Sequence, residues 1–306
     1  MNPFGRARHR HTGGRLRRII RNMKTFLICH RGALGDFILT WPAIYCLREA
    51  LPHYHFLGIG RPEYMRVATS FGLLDTYLDN ESAGLLDFFC GRRIPDEIGS
   101  PQGAVLWLTN GQETVDILRQ SAFLPVVSIP PFPEEQIHLA QYYCSVIQSH
   151  FTITIPQDLS DCFPARVTEG RYALIHPGSG SFKKNYNPLF YRDLANVLRR
   201  SGYCKVGFIF GPVEDDKMNK DDFAGEWIER PKDVKALTDL LSCASLYIGN
   251  DSGVSHLAGF VGAPTIALYK TTDPEIWGIL GKKVTHISAT DEKYALRKIQ
   301  EYLIEN

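Results

Sequence analysis

Apolar runs of strand length alternate with helix-length stretches along most of the chain, and the alternation stops once and then starts again. The run Phe26, Leu27, Ile28, Cys29 predicts a buried strand over 24–30 that ends in a glycine-containing turn, Arg31 to Asp36. A helix is expected directly after it, on Phe37, Ile38, Ala43, Ile44 and Leu47, with Pro42 tolerated near its start. Further strands are predicted at 54–59, 75–79, 103–109 and 124–129, with helical stretches between most of them and another at 134–148. Residues 150–170 break the rhythm with Pro156, Asp158, Asp161, Pro164 and Gly170. The pattern then resumes as strand 171–176, helix 188–201, strand 204–210, helix 233–243, strand 245–249, helix 253–262 and strand 264–269. A final helix at about 290–304 is expected to pack back across the hinge. Strands alternating with helices require parallel pairing and right-handed crossovers. The expected class is therefore α/β, with two Rossmann-like, doubly wound parallel-sheet domains at 23–160 and 161–306 that face a central cleft.

With 306 residues and 44% hydrophobic content, the chain has enough apolar surface for two cores. It contains no run of 18 apolar residues and begins without a secretory apolar region, so it is expected in the cytoplasm. The seven cysteines lie far apart, without a C-x-x-C pair or zinc-like histidine spacing, and no metal site is expected. The net charge of +1 hides an asymmetry, because residues 1–22 hold seven arginines and no acid. That arm reads as disordered. It is either a basic patch for anionic lipid at the inner membrane face or a segment upstream of a start at Met23. The remaining body is acidic and lacks a recognisable basic–aromatic module, which argues against specific nucleic-acid binding.

Ligands of open α/β sheets bind beyond the carboxyl ends of the strands, so the residues just after each strand matter most. Four loops stand out. In Arg31-Gly32-Ala33-Leu34-Gly35-Asp36, two glycines allow a tight turn that presents Asp36 near a helix start, where it equally reads as an ordinary N-cap. His176-Pro177-Gly178-Ser179-Gly180-Ser181-Phe182-Lys183-Lys184 offers small residues and paired lysines suited to phosphate. It is neither a Walker A loop, lacking Gly-Lys-Ser/Thr, nor a dinucleotide fingerprint, since Lys183 stands where the third glycine belongs. Glu214 of Gly211-Pro212-Val213-Glu214 can accept from both ribose hydroxyls, or is a solvated helix-start carboxylate. Gly249-Asn250-Asp251-Ser252-Gly253-Val254-Ser255-His256 leads into a helix whose first N–H groups would hold a diphosphate. Its plain alternative is a cap with His256 packed inside, and the absent G-x-S-x-G elbow excludes Ser252 as a hydrolase nucleophile.

Taken together and in order, these motifs resemble the bacterial heptosyltransferases that build lipopolysaccharide core, glycosyltransferase family nine, whose members have the GT-B fold. The resemblance runs from Arg-Gly-Ala-Leu-Gly-Asp at 31–36 and Leu-Thr-Trp-Pro at 39–42 through His-Pro-Gly-Ser-Gly-Ser at 176–181. It continues through Gly-Asn-Asp-Ser-Gly at 249–253 and Ser-His-Leu-Ala at 255–258 to Thr-Asp-Pro at 272–274. It implies an acceptor-binding first domain and a nucleotide-sugar-binding second domain. Asp36 would be the general base, Lys184 would neutralise donor phosphate, Glu214 would hold the ribose and Asp251 would contact the sugar. Ser252, Gly253 and His256 would line the diphosphate and sugar, with Ser179 and Gly180 also on the donor. Arg31, Lys183 and Lys270 are further candidates for acceptor or phosphate contacts. Two departures from the family pattern are Asn185-Tyr186-Asn187-Pro188 after Lys184, and Lys270 where a small residue is usual.

The implied reaction is inverting transfer of a sugar, favoured as heptose from ADP-heptose, to a lipid-linked or oligosaccharide acceptor, without cofactor or metal. A sugar-nucleotide epimerase of similar fold and a non-catalytic nucleotide-sugar-binding protein are the alternatives.

Overall fold

The computed structural model describes residues 24–133, 136–164 and 172–305, so the arginine-rich arm at 1–22 lies outside the described residues. Contacts divide the chain into two units. The first comprises residues 24–33, 40–133 and 140–155 of those described; the second comprises 34–39, 136–139 and the described residues from 156 to 305.

In the first unit, five parallel strands form one sheet: β1 (Thr25–His30), β2 (His55–Gly60), β3 (Thr76–Asp79), β4 (Gly103–Trp107) and β5 (Val126–Ile129). Their order is β3-β2-β1-β4-β5. β1, β2 and β4 are buried at every position. A parallel sheet covered by helices on both faces demands such unbroken apolar runs, which is why these strands are conspicuous in the sequence. Leu27, Cys29, Leu57, Ile59 and Leu106 pack with Val115 and Leu118 of helix Gln112–Arg119.

The second unit holds six parallel strands: β6 (Tyr172–His176), β7 (Lys205–Ile209), β8 (Trp227–Glu229), β9 (Leu246–Asn250), β10 (Thr265–Tyr269) and β11 (Val284–Ser288). They run in the order β11-β10-β9-β6-β7-β8. The core joins Val206, Phe208, Ile248 and Ile266 of the strands to Phe190, Leu194 and Leu198 of helix Pro188–Arg200. The closing helix, Glu292–Glu305, adds Ala295 and Ile299 to this same core. In both sheets the chain winds outward in opposite directions from a central pair, β1/β4 and β6/β9. The crevice beyond the carboxyl ends of such a pair is where an open α/β sheet takes its ligand.

Two local features differ from the sequence reading. The helix expected across Phe37–Leu47 is two helices, Leu34–Leu39 and Trp41–Ala50, because Pro42 has no N–H to give the carbonyl of Ile38 and instead sits in the first turn of the second helix. The edge strands β8 and β11 are additional; both are partly exposed and neither has a continuous apolar run. No described helix is long and apolar enough to cross a membrane.

Phe208 is fully buried, with its ring centroid 5.0 Å from that of Phe223 in an edge-to-face pair. Phe208→Ala is expected to destabilise the protein by about 3–5 kcal/mol, and Phe208→Leu by well under half of that. Urea unfolding followed by circular dichroism checks both.

Candidate active site

The loops after β6 and β9 meet at the central pair of the second sheet. Asn250, the last residue of β9, is fully buried. Its Nδ2 lies 2.9 Å from the Pro177 carbonyl, 3.3 Å from that of Gly178 and 2.8 Å from the Tyr191 hydroxyl, which in turn donates to Asn250 Oδ1 at 3.0 Å. One amide therefore pins the glycine-serine turn to the 250–256 segment. Ser179 Oγ lies 2.7 Å from both the Ser181 carbonyl and Asn185 Oδ1, which closes the turn on itself. Gly180 and Lys183 are exposed, and a side chain at 180 would meet open space.

Lys184 follows in a single tight turn, and its Nζ donates to Asp251 Oδ2 at 2.6 Å. Thr272 Oγ1 donates to the same oxygen at 2.8 Å, while His256 Nε2 stands 3.7 Å from Oδ1. Burial alone would raise the Asp251 carboxyl, but His256 and the Lys184 ammonium outweigh it and hold the group down at about 2. Lys270 does not point its ammonium into free solvent: Nζ donates to the Asn185 carbonyl at 2.8 Å and lies 5.2 Å from the Tyr186 ring centre. Tyr186 in turn donates to the Ala289 carbonyl. Lys270 thus braces the backbone that carries Lys184.

Ser252 caps helix Gly253–Phe260 by accepting from Ser255 N. Helix Leu34–Leu39, which carries Asp36 in its first turn, belongs to this same unit and packs on that helix. The crossing is glycine on glycine. A Cβ placed on Gly35 would stand 3.1 Å from His256 Cδ2 and 3.4 Å from Gly253 Cα, and one on Gly253 would stand 3.0 Å from Leu34 Cβ. Asp36, half-buried, is therefore one residue from the start of the 253–260 helix contact. His256 is buried beside Gly35, and its Nδ1 has no hydrogen-bond partner among the described residues.

Glu214 is not a solvated carboxylate but a buried one. Its Oε2 accepts from Gly211 N at 2.8 Å, and its Oε1 stands 3.6 Å from His176 Nε2. Burial would raise this carboxyl, yet the His176 contact and the Gly211 N–H hold it below the usual carboxylate range. A Cβ at Gly178 would stand 1.8 Å from Glu214 Oε1, so any other residue there would displace the carboxylate from its place beside His176.

Ser179, Lys184, Glu214, Asp251, Ser252, Gly253 and His256 are thus gathered around one end of one sheet, with the Asp36 helix against them. Arg31 belongs to the first unit, where its guanidinium lies 4.4 Å from the Phe89 ring centre. His176, Asn250, Thr272, Asn185 and Tyr191 belong to the site beyond the residues expected from the sequence. A signal existed for the first two, each a polar residue closing an otherwise apolar strand. Among the described residues there is no group of three or more His, Cys, Asp or Glu able to hold a metal ion.

Two parallel α/β units with loops and helix starts gathered at the strand ends define the class of open-sheet proteins that take ligands beyond the carboxyl ends of their strands, and known proteins share this fold. The family model for glycosyltransferase family 9 (heptosyltransferase) matches residues 135–304, and the chain belongs to that family of glycosyltransferases. A putative glycosyltransferase of Haemophilus influenzae is 26% identical over 310 residues, spanning 87% of this chain and 89% of that protein. Lipopolysaccharide heptosyltransferase 1 of Escherichia coli is 25% identical over 139 residues, 44% of this chain and 40% of that one. Among solved structures, a family 9 glycosyl transferase from Veillonella parvula superposes with a TM-score of 0.72 at 18% identity, covering 92% of this chain and 95% of that one. The E. coli heptosyltransferase WaaC with ADP gives 0.71 at 16% identity, covering 92% and 99%. The fold is GT-B.

Asp251 has a folded-state carboxyl held below its ordinary value of 3.8, so its contribution to stability is present above that value and is lost as pH falls from about 4 towards about 2. The difference corresponds to about 2 kcal/mol. Asp251→Asn is expected to show a correspondingly smaller loss of stability over that interval, read from urea unfolding at pH 7, 4 and 3; equal losses in both proteins would contradict the assignment.

Proposed function

We propose that this chain is an inverting, metal-independent glycosyltransferase that moves heptose from ADP-heptose to a lipopolysaccharide-core or related lipid-linked oligosaccharide acceptor. The observation that carries this reading is the Lys184–Asp251 pair set against the start of helix 253–260 at the central strand pair. The ammonium and the first N–H groups of the helix suit a diphosphate, and the carboxylate suits sugar hydroxyls. The names of the relatives, heptosyltransferases of lipopolysaccharide and lipooligosaccharide, favour heptose and such an acceptor.

In the proposed step, Asp36 accepts the proton of the acceptor hydroxyl as that oxygen attacks C1 of the sugar from the face opposite the leaving group. The bond between C1 and the diphosphate oxygen breaks, its electron pair leaves with ADP, and configuration at C1 inverts. Lys184 and the helix start stabilise the negative charge that develops on ADP, a task other transferases give to a metal. Glu214 holds the ribose. The enzyme would work at the cytoplasmic face of the membrane, where the seven arginines of residues 1–22 would be drawn to anionic lipid.

A thermal-shift screen of nucleotides and nucleotide sugars tests the donor: at 100 times its Kd a ligand stabilises by roughly 2.7 kcal/mol. Mass spectrometry of the products tests the reaction, with ADP and a heavier acceptor expected, and turnover unchanged by a chelator. An isomerised donor formed without acceptor would replace the reading by epimerisation. Asp36→Asn is expected to leave ADP affinity intact while turnover falls by about 10²–10⁴-fold; unchanged turnover removes Asp36 from the mechanism.

A further inference from the structure

β6 lies between β9 and β7 in the sheet, so its last residue, His176, is flanked by the loops that follow both neighbours. The His176 ring is buried, and its two nitrogens reach in opposite directions. Nε2 stands 3.6 Å from Glu214 Oε1, in the loop after β7, and Nδ1 stands 3.4 Å from Ser252 Oγ, in the loop after β9. The line of polar contacts continues on both sides. Glu214 Oε2 accepts from Gly211 N, while Ser252 Oγ lies 3.2 Å from Ser255 Oγ, which lies 2.9 Å from the Tyr247 hydroxyl. One imidazole therefore connects the start of helix Pro212–Lys217 to the start of helix Gly253–Phe260.

An imidazole is a rigid spacer: its two nitrogens cannot change their separation, and a hydrogen bond to one fixes which tautomer the other presents. We propose that His176 is a positioning residue of the donor site, holding Glu214 and Ser252 at a set spacing so that the carboxylate and the capped helix start engage the nucleoside and the diphosphate of one donor together. The inference rests on the reading that the ligand is a nucleotide sugar. His176 itself touches neither part of it. The depressed Glu214 carboxyl, buried yet held ionised beside the ring, fits this role.

Three variants separate the two arms of the link. In His176→Gln the amide reaches the Nε2 position and keeps the Glu214 contact; in His176→Asn it takes the Nδ1 position and keeps the Ser252 contact; His176→Leu fills the volume and keeps neither. Calorimetry with ADP and steady-state kinetics with the donor read the outcome, alongside Tm as a check of folding. The Leu variant is expected to raise the ADP Kd and the donor KM by about tenfold or more, with kcat changed far less, and the Gln and Asn variants each to recover part of the loss. Wild-type Kd and KM in the Leu variant overturn the proposal. If the Leu variant does not fold, unchanged donor KM in both amide variants overturns it. A wild-type chain that does not bind ADP defeats the donor reading instead. The link is then judged without ligand by the Glu214 carboxyl titration, read by carbon-13 NMR. It must shift upward in the amide variant that loses the Glu214 contact, His176→Asn, and an unchanged titration there refutes the link.

Discussion

The buried side chain of Asn250 is the contact on which the second unit's site depends. A wholly buried amide must satisfy its donors and acceptor inside the protein, and here it does so with the Pro177 carbonyl and the Tyr191 hydroxyl. Both partners come from other segments: Pro177 from the turn after β6, Tyr191 from helix Pro188–Arg200. Tyr191 also accepts from Tyr186 N at 3.1 Å, which fixes the loop between Lys184 and that helix. The position of Lys184 thus follows from a polar network anchored below it in the core. Breaking that network strands buried polar groups, each costing about 1–3 kcal/mol, so the loop has one favoured arrangement.

The second constraint is steric. Helix Leu34–Leu39 follows β1 in the chain, yet its contacts lie with helix Gly253–Phe260. A Cβ on either helix start at the crossing would force its neighbours to give by a few tenths of an ångström, and Gly35 and Gly253 avoid this from sites more than 200 residues apart in sequence. Pro42 serves the same arrangement from the other side. By ending the short helix at Leu39, it lets that segment keep company with one unit while Trp41–Ala50 stays with the other. Two glycines and a proline read in the sequence as a turn and a helix start act as a crossing point and a break.

What could be read from the sequence, and what could not, follows from which interactions are local. β1, β2, β4 and β10 are buried at every position, and an unbroken apolar run is visible without knowing any partner. β8 and β11 are edge strands whose pairing is set by neighbours far away in sequence, so their own residues, Trp-Ile-Glu and Val-Thr-His-Ile-Ser, carry little signal. The loops at strand ends were legible because glycine, serine and paired lysines stand out. Their internal partnerships were not. Glu214 against His176, Lys270 as a brace on Asn185 and Thr272 on Asp251 all join the ends of, or loops after, different strands.

Those partnerships also divide the chemistry of the site. Glu214 and Asp251 are both buried and both held below the ordinary carboxylate range, so at neutral pH each can only accept hydrogen bonds. Such acceptors repel phosphate and welcome hydroxyls. In the proposed function, anionic oxygen would therefore be met by the N–H groups that remain, those of Lys184 and the helix start capped by Ser252. In the present arrangement Lys184 and Asp251 satisfy each other. A ligand carrying only phosphate would take the ammonium and leave Asp251 with the Thr272 hydroxyl and His256, and one carrying only hydroxyls would compete with the ammonium for the carboxylate. The proposed donor, which joins a diphosphate to polyhydroxyl rings on either side, would engage both groups at once.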